Sequence, residues 1–408
     1  MSLQTKVRSI VQRTRLSFQK KVVLPLRFPG VFRTLKNNES GATIDMDSTH
    51  LSLAIDWLKN TQNVSDCPGI PAVYDLLSNT WGKPYRETTG YIIPTFITYS
   101  KITGDSECLD RAVSMGDWEI EEQHPSGGIG EPRDDGDPGL KIFNTGQVIL
   151  GWCALYDETK KQKYLDAASK AARWLMENQE MSGAWEKFSN NGPKTFDGRV
   201  AWALEEVSKR SGDKKCADAA RRTIEWILMQ QHENGWFSNT SLSQHGKPWT
   251  HLIAYTISGL WEYGYLKDDR RVMDAAEKSA LALARHYVQL EKTKFLSATF
   301  DQNWQSTDNY SCLTGNAQLA FIWIRIFEKT KEELFLKAAE KMIEQMKGLQ
   351  IRSTADRRIL GGLTGSHPVS GPYVTYGIPN WGIKFFADML IAHVNIKKGA
   401  SVSNQILG

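Results

Sequence analysis

The chain has 408 residues, of which 41% are hydrophobic, and its formal net charge is +4. That apolar content is enough for a large core. Five scattered cysteines without a C-x-x-C pair argue against a disulfide scaffold and indicate a reducing compartment. The sequence contains no signal-peptide or membrane-spanning apolar run and no Gly-rich phosphate loop. It therefore predicts a cytoplasmic protein that does not bind nucleic acid.

The N-terminal segment differs in charge from the rest of the chain. Residues 1–38 contain nine Lys and Arg side chains and no Asp or Glu, whereas the remaining chain has 41 basic and 46 acidic residues, a net charge of −5. Apolar residues such as Leu3, Val7 and Ile10 fall near one face of a helix through this segment. We interpret residues 1–47 as a basic arm. Either residues 1–38 contact an anionic membrane surface, or the arm packs on the rest of the protein.

Six amphipathic segments then share a repeated pattern. An Asp-Ala-Ala motif leads to a Trp and then a Gln, as at Trp174 and Gln179 and again at Trp226 and Gln231. Glycine turns such as Asn234-Gly235-Trp236 follow, and they supply the positive φ that helix ends need. We predict these segments as outer helices, at residues 48–62, 108–123, 164–179, 216–231, 270–290 and 332–350.

Six further segments alternate with them and are apolar nearly all round, which is typical of helices buried on every side. They are predicted at residues 88–103, 144–160, 197–212, 249–267, 311–330 and 378–395. Strict alternation of the two kinds predicts an all-α fold, an (α/α)6 toroid over residues 48–395, followed by a C-terminal tail at 396–408. A cluster of polar and aromatic residues begins each inner helix, so the fold would bring the six clusters to one end of the ring.

Four of these clusters have distinct motifs, which are Tyr85-Arg86-Glu87-Thr88-Thr89-Gly90-Tyr91, Phe143-Asn144-Thr145-Gly146-Gln147, Ser311-Cys312-Leu313-Thr314-Gly315-Asn316 and Pro379-Asn380-Trp381-Gly382. The repeats with their glycine turns are similar to those of squalene cyclases and protein prenyltransferase β subunits, and the toroid with polar loops is similar to glycan lyases, hydrolases and epimerases. The four motifs, in a pattern over about residues 48–395, resemble a bacterial family found with polysaccharide-biosynthesis genes. This resemblance implies a glycan substrate.

The inner-helix starts favour an anionic ligand, because helix N-termini present free N–H groups and a positive dipole end. Cationic and aromatic side chains at the same positions suit an acidic sugar such as a uronate. The predicted catalytic residues are Glu87, Asn144, Arg199, His251, Tyr255 and Tyr373. The predicted substrate-binding residues are Tyr91, Trp202, Asn316, Gln318, His367, Asn380, Trp381 and Lys384.

The favoured reaction is proton abstraction at C5 of a uronate, by a lyase or a C5-epimerase. Asn144 and Arg199 would hold the carboxylate, and His251 and Tyr255, four residues apart on one helix face, would transfer protons. Tyr373 is a second candidate for proton transfer. Each residue also has a structural interpretation: Asn144 as a helix cap, His251 as a core histidine, and Arg199 as an ion-pair partner of Glu205 or Glu206.

Three alternatives stay open. Glycoside hydrolysis needs two carboxyl groups, for which Glu87, Asp197 and the acidic loop with Glu131, Asp134, Asp135 and Asp137 are candidates. Isoprenoid chemistry would need an apolar cavity or a zinc site. Asp308, Cys312 and His367 occur in the same order as the zinc ligands of protein prenyltransferases, but not at the spacing of that family. A non-catalytic glycan-binding scaffold is the third. We predict no cofactor and no metal ion.

Overall fold

The computed structural model describes Leu26 and residues 46–131, 137–243, 246–401 and 407–408. Nearly all of the basic arm, together with Asp134 and Asp135, lies outside the described residues, so the membrane-surface interpretation stays a prediction. No helix in the described ranges is long and apolar enough to cross a membrane.

Twelve α-helices span the described residues between Asp47 and Lys397, and they alternate between two concentric layers. They are α1 Asp47–Asn63, α2 Arg86–Thr103, α3 Ser106–Glu121, α4 Ile142–Thr159, α5 Gln162–Glu177, α6 Gly198–Ser211, α7 Lys214–Leu228, α8 Thr250–Lys267, α9 Arg270–Gln289, α10 Leu313–Thr330, α11 Glu333–Leu349 and α12 Asn380–Lys397.

The even-numbered helices form the inner ring. Each packs on the next, from α2 through α4, α6, α8 and α10 to α12, and α12 packs back on α2. Each of α3, α5, α7, α9 and α11 packs outside the inner helix that precedes it, and α1 packs outside α12. The predicted (α/α)6 toroid is therefore confirmed, with the predicted assignment of inner and outer helices.

Close approach inside the ring depends on glycine. Gly259 of α8 lies against Gly198 at the start of α6, and a β-carbon at Gly259 would overlap the backbone there. The inner helices are consequently buried along most of their length, which explains why their sequences are apolar all round.

The outer helices are joined by a repeated contact that we call the glutamine latch. Its members are the Gln side chains at the ends of four outer segments, Gln123, Gln179, Gln231 and Gln350. Gln179 shows the geometry: its Nε2 donates to the Gly183 carbonyl at 3.1 Å and to the Ala219 carbonyl of α7 at 2.9 Å. Each latch thus ties the end of one outer helix to the next outer helix. The Gln in the repeated pattern is structural.

The last latch closes the ring. Gln350 Nε2 donates to the His50 carbonyl of α1 at 3.0 Å and to the Gly361 carbonyl at 3.1 Å. Asp47, the first residue of α1, lies 2.9 Å from Lys347 of α11 and 2.8 Å from His393 of α12. Burial raises the pKa of the Asp47 carboxyl, but hydrogen bonds to His393 and Lys347 outweigh burial and hold it well below its ordinary value.

Short strands lie next to several inner-helix starts. They are β1 Val73–Asp75, β2 Thr80–Trp81, β3 Ile129–Gly130, β4 Leu140–Lys141, β5 Ser311–Cys312, β6 Ser366–His367 and β7 Gly377–Pro379. β1 pairs antiparallel with β2 and with β7, in register Tyr74↔Ile378, so it joins the chain before α2 to the chain before α12. β3 pairs with β4 and β5 with β6. We call this end of the ring the mouth.

Candidate functional site

The mouth contains a buried guanidinium without an ion pair. Arg199, in the first turn of α6, is 1% exposed; its Nε donates to Gln147 Oε1 at 2.7 Å and its Nη1 to Ser258 Oγ at 3.2 Å. No carboxylate of the described residues lies within 4.0 Å of it. Burial lowers the pKa of Arg199, but a guanidinium stays charged in proteins.

The suggested structural role for Arg199 is wrong. Glu206 pairs with Arg210, and Glu205 pairs with Lys267 at 2.9 Å. Glu205 and Glu206 are one to two turns further along α6, where Arg210 and Lys267 meet them. Arg199 stays on the mouth side of the helix and has only neutral partners.

A carboxyl group with an unusual pKa lies near Arg199. Burial raises the pKa of Glu87, in the first turn of α2, to about 7; Glu131 raises it further, whereas Tyr85 and Arg199 oppose the shift. The Tyr85 hydroxyl interacts with Glu87 and donates to Glu131 Oε1 at 3.4 Å. Asn144 Nδ2 donates to the same hydroxyl at 3.3 Å, so Asn144 supports Tyr85. Tyr85 thus joins two carboxyl groups.

His251 and Tyr255 form the opposite wall. Their ring centroids are 4.3 Å apart, and Arg199 lies 5.1 Å from the Tyr255 ring centroid. His251 Nδ1 hydrogen-bonds Gln318 Oε1 at 2.7 Å. Burial lowers the pKa of His251 to about 4, and although the Gln318 contact opposes this shift the imidazole is neutral at pH 7. Burial also raises the pKa of Tyr255.

The loop after α11 and the first turn of α12 each add an aromatic side chain. Tyr373 packs its ring 5.6 Å from that of His251, and the Trp381 indole donates to the Tyr373 hydroxyl at 2.8 Å. His251 and Tyr373 are 122 positions apart in the sequence, and the closed ring brings them into contact. The structure therefore brings together His251, Tyr255, Gln318, Tyr373 and Trp381 as predicted.

Lys384 lies deeper, in the second turn of α12. It is 1% exposed, pairs with Asp388 at 2.6 Å, and lies over the rings of Tyr91 at 5.3 Å and Phe385 at 4.2 Å. Burial lowers its pKa to about 8, Asp388 opposes this shift, and the charge of Arg199 adds to it. Lys384 and Arg199 are thus two buried cations at the inner-helix starts, and Asp388 is the ion-pair partner of Lys384.

A second carboxyl group at the mouth is also buried. Asp197, in the turn before α6, is 2% exposed, and neither oxygen has a hydrogen-bond donor in bonding geometry among the described residues. Burial raises its pKa to about 8, with a partly opposing contribution from Lys194. Glu87 and Asp197 are thus both carboxylic acids near neutral pH, a state suited to proton donation.

Four predicted residues have other contacts. Trp202 lies with its ring centroid 5.3 Å from the Arg199 guanidinium, but its indole N–H donates to Glu206 and it lines a cavity of about 380 Å³ at the other end of the inner helices, with Pro94, Ile97, Ala154, Tyr265 and Leu266 among its walls. Asn380 donates to the Pro71 carbonyl at 3.0 Å and Asn316 to Ser311 at 2.9 Å, so both support local backbone. His367 packs on Phe295, with 4.5 Å between ring centroids.

The zinc and isoprenoid interpretations find little support. Asp308 accepts hydrogen bonds from the amide and hydroxyl of Thr299 at 2.8 and 2.6 Å. In the described ranges, no group of three or more His, Cys, Asp or Glu residues has metal-binding geometry. The mouth also carries the polar side chains of Arg199, Glu87 and His251, so it lacks the uninterrupted apolar lining that an isoprenoid cyclase cavity would need.

Sequence reasoning missed four residues of the site. Tyr85 directly precedes α2, and Gln147 lies one turn from Asn144 on α4, so helical spacing could have identified both. Ser258 and Asp388 lie in interior turns of α8 and α12, away from the polar clusters. Asp388 is four residues after Lys384 on one helix face, so helical spacing could have identified it as well, whereas no local signal pointed to Ser258.

Comparisons with solved structures agree with the fold. An unsaturated glucuronyl hydrolase specific for heparin matches with a TM-score of 0.69 at 13% identity, over 86% of this chain and 98% of that chain. The unsaturated glucuronyl hydrolase of Bacillus sp. GL1, which degrades glycosaminoglycan, gives 0.66 at 15%, over 87% and 98%. A glycosyl hydrolase family 88 protein from Bacteroides vulgatus gives 0.63 at 11%, over 86% and 99%.

No protein family matches the sequence itself, and no curated protein matches it. At these identities the structural likeness establishes the (α/α)6 toroid that the chain shares with these glycan-degrading enzymes.

Proposed function

We propose that this protein is a glycoside hydrolase that cleaves an acidic sugar residue from a glycan. The observation that carries the proposal is that the mouth holds both Glu87, whose pKa burial raises to about 7, and Arg199, a buried cation without a carboxylate partner among the described residues. A buried unpaired charge costs free energy, and a ligand carboxylate at Arg199 would offset that cost. The structural likeness to unsaturated glucuronyl hydrolases supports an acidic sugar.

Glu87 is the proposed general acid. It is half protonated near pH 7, so it can donate a proton to the departing glycosidic oxygen and become a carboxylate beside Arg199. Glu131 is the proposed second carboxyl group, because it shares the Tyr85 hydroxyl with Glu87. Carboxyl groups that share one hydroxyl are separated by at most roughly 7 Å. Glycosidases use separations of about 5–9.5 Å.

Proton abstraction at C5, the reaction that the sequence favours, is the second candidate function. The observation in its favour is the contact between neutral His251 and Tyr255, 4.3 Å between ring centroids, since an uncharged imidazole can act as a base. The balance favours hydrolysis, because the structural neighbours with glycan substrates are hydrolases.

Incubation with oligosaccharides that end in a saturated or an unsaturated uronate tests the proposal. We expect release of reducing ends, without new absorbance from an unsaturated product and without deuterium uptake at C5. New absorbance or C5 exchange without hydrolysis would overturn the proposal and favour the second candidate. Hydrolysis of neutral glycans alone would contradict the assignment of Arg199 to an acidic sugar.

A further inference from the structure

The chain returns into the ring after its last helix. α12 ends at Lys397, yet Leu407 is 2% exposed and packs within the hydrophobic core of the ring. The next residue, Gly408, donates its backbone N–H to Asp388 Oδ2 at 3.0 Å. We call Leu407 and Gly408 the inserted dipeptide.

The inserted dipeptide lies among inner helices, midway along their length. Asp388 is near the middle of α12; it also accepts a hydrogen bond at 2.7 Å from Thr95, near the middle of α2. Phe321, near the middle of α10, lies directly against Gly408, and a β-carbon there would overlap its ring. Gly408 has φ of +94°, which side-chain-bearing residues rarely adopt. Only glycine suits this position.

Asp388 connects the inserted dipeptide to the mouth. Its two oxygens receive three donors: the Thr95 hydroxyl, the Gly408 amide and the Lys384 ammonium, the last at 2.6 Å. Asp388 is fully buried, so these donors replace water around its charge. The orientation of Lys384 toward Tyr91 and Phe385 therefore depends on a carboxylate that the inserted dipeptide helps to hold.

We infer that the inserted dipeptide positions Lys384: it seals the space between the inner helices around Asp388 and, through Asp388, fixes the ammonium that attracts an anionic ligand. The inference rests on the proposed function in one respect, that the ligand is an acidic glycan. The sealing and positioning do not depend on which reaction follows.

The test compares Gly408→Ala with Gly399→Ala in the full chain. Both glycines have positive φ, +94° for Gly408 and +69° for Gly399, so alanine strains the backbone at either position. A β-carbon at Gly399 meets nothing within 4 Å, so only Gly408→Ala should also displace the inserted dipeptide. The first measurement is the acylation rate of Lys384, followed by peptide mass spectrometry from about pH 6 to about pH 11. The second is KM and kcat on an acidic oligosaccharide.

In Gly408→Ala, water would reach Lys384 and Asp388 would lose a donor. Both changes favour the charged ammonium, so the pKa of Lys384 should rise from about 8 toward its ordinary value of about 10.4. We expect KM to rise about 3- to 10-fold with little change in kcat. Gly399→Ala should leave both measurements at wild-type values.

Leu407→Ser is a second variant, which removes the buried anchor without straining the backbone, and it should give the same titration shift. Wild-type titration of Lys384 in both Gly408→Ala and Leu407→Ser would overturn the inference. If the wild-type protein hydrolyses no acidic glycan, the proposed function fails, while the Lys384 titration still decides whether the dipeptide positions this residue.

Discussion

The outer ring and the mouth differ in how their polar side chains are bonded. In the outer ring, the polar side chain of each glutamine latch is satisfied by backbone carbonyls, and the same contact is found in four of the hairpins. At the mouth, the side chains differ at every helix start, and Arg199 is a buried cation that has hydrogen-bond partners but no carboxylate partner among the described residues. Repetition marks residues that stabilise the ring, whereas a buried cation without a carboxylate partner marks where an anionic ligand would bind.

The largest effect is expected at Glu87. Glu87→Gln removes the proposed acid while keeping its shape, so hydrolysis should fall by about 10²- to 10⁴-fold. The wild-type rate should decline as the pH rises through about 7, because the acid must be protonated. The measurement is the pH profile of kcat/KM.

Glu119→Gln is the matched control. Glu119 is a second carboxyl group whose pKa is raised by burial, but it lies on outer helix α3 and has no hydrogen-bond partner among the described residues. Its replacement should leave the rate and the pH profile unchanged. Equal losses in both variants would mean that Glu87 has no role beyond that of a buried acid.

Arg199→Met tests whether the unpaired guanidinium is kept for a ligand. Removing a buried charge without a carboxylate partner should stabilise the fold, by roughly 1–3 kcal/mol, while KM for an acidic glycan rises by about 30- to 100-fold. Chemical denaturation and initial-rate kinetics measure the two effects.

Arg210→Met supplies the contrast, because Arg210 on the same helix pairs with Glu206 and Asp157. Its removal leaves carboxylates without a partner and should destabilise the fold by roughly 3 kcal/mol. Loss of stability in Arg199→Met to the same extent would show that Arg199 is structural.

The smallest effect on activity is expected in the outer ring, where the Gly183 carbonyl accepts a hydrogen bond from Gln179. Gly183 has φ of +92°, and a β-carbon would overlap the Arg222 carbonyl, so Gly183→Ala should lower the free energy of unfolding by roughly 2–4 kcal/mol. Gly192→Ala, with φ of +85° and open space around it, should cost about 1 kcal/mol. Thermal unfolding distinguishes them, and equal losses would mean that the close approach is unimportant.

Most of the fold could be predicted from the sequence, because the ring repeats one helical hairpin six times. Periodic apolar residues mark each helix, and recurring Gln and Gly positions, such as Gln179 and Gly183, mark the contacts between outer helices. The mouth was predicted more coarsely. His251 and Tyr255 share a helix face and were found together, but the contact of Glu87 with Tyr85 and Glu131 depends on how neighbouring hairpins meet.

The sequence by itself determined the double ring, the end of the ring at which polar residues collect, and most of the side chains there. Only the tertiary structure decided which charges have partners. Glu205 and Glu206 are closer to Arg199 in sequence than Gln147 and Ser258, to which Arg199 donates hydrogen bonds, yet Glu206 forms an ion pair with Arg210 and Glu205 with Lys267. Burial then sets the pKa of Glu87, His251 and Lys384. Desolvation depends on everything packed around a group, so it is a property of the closed ring and of no single segment.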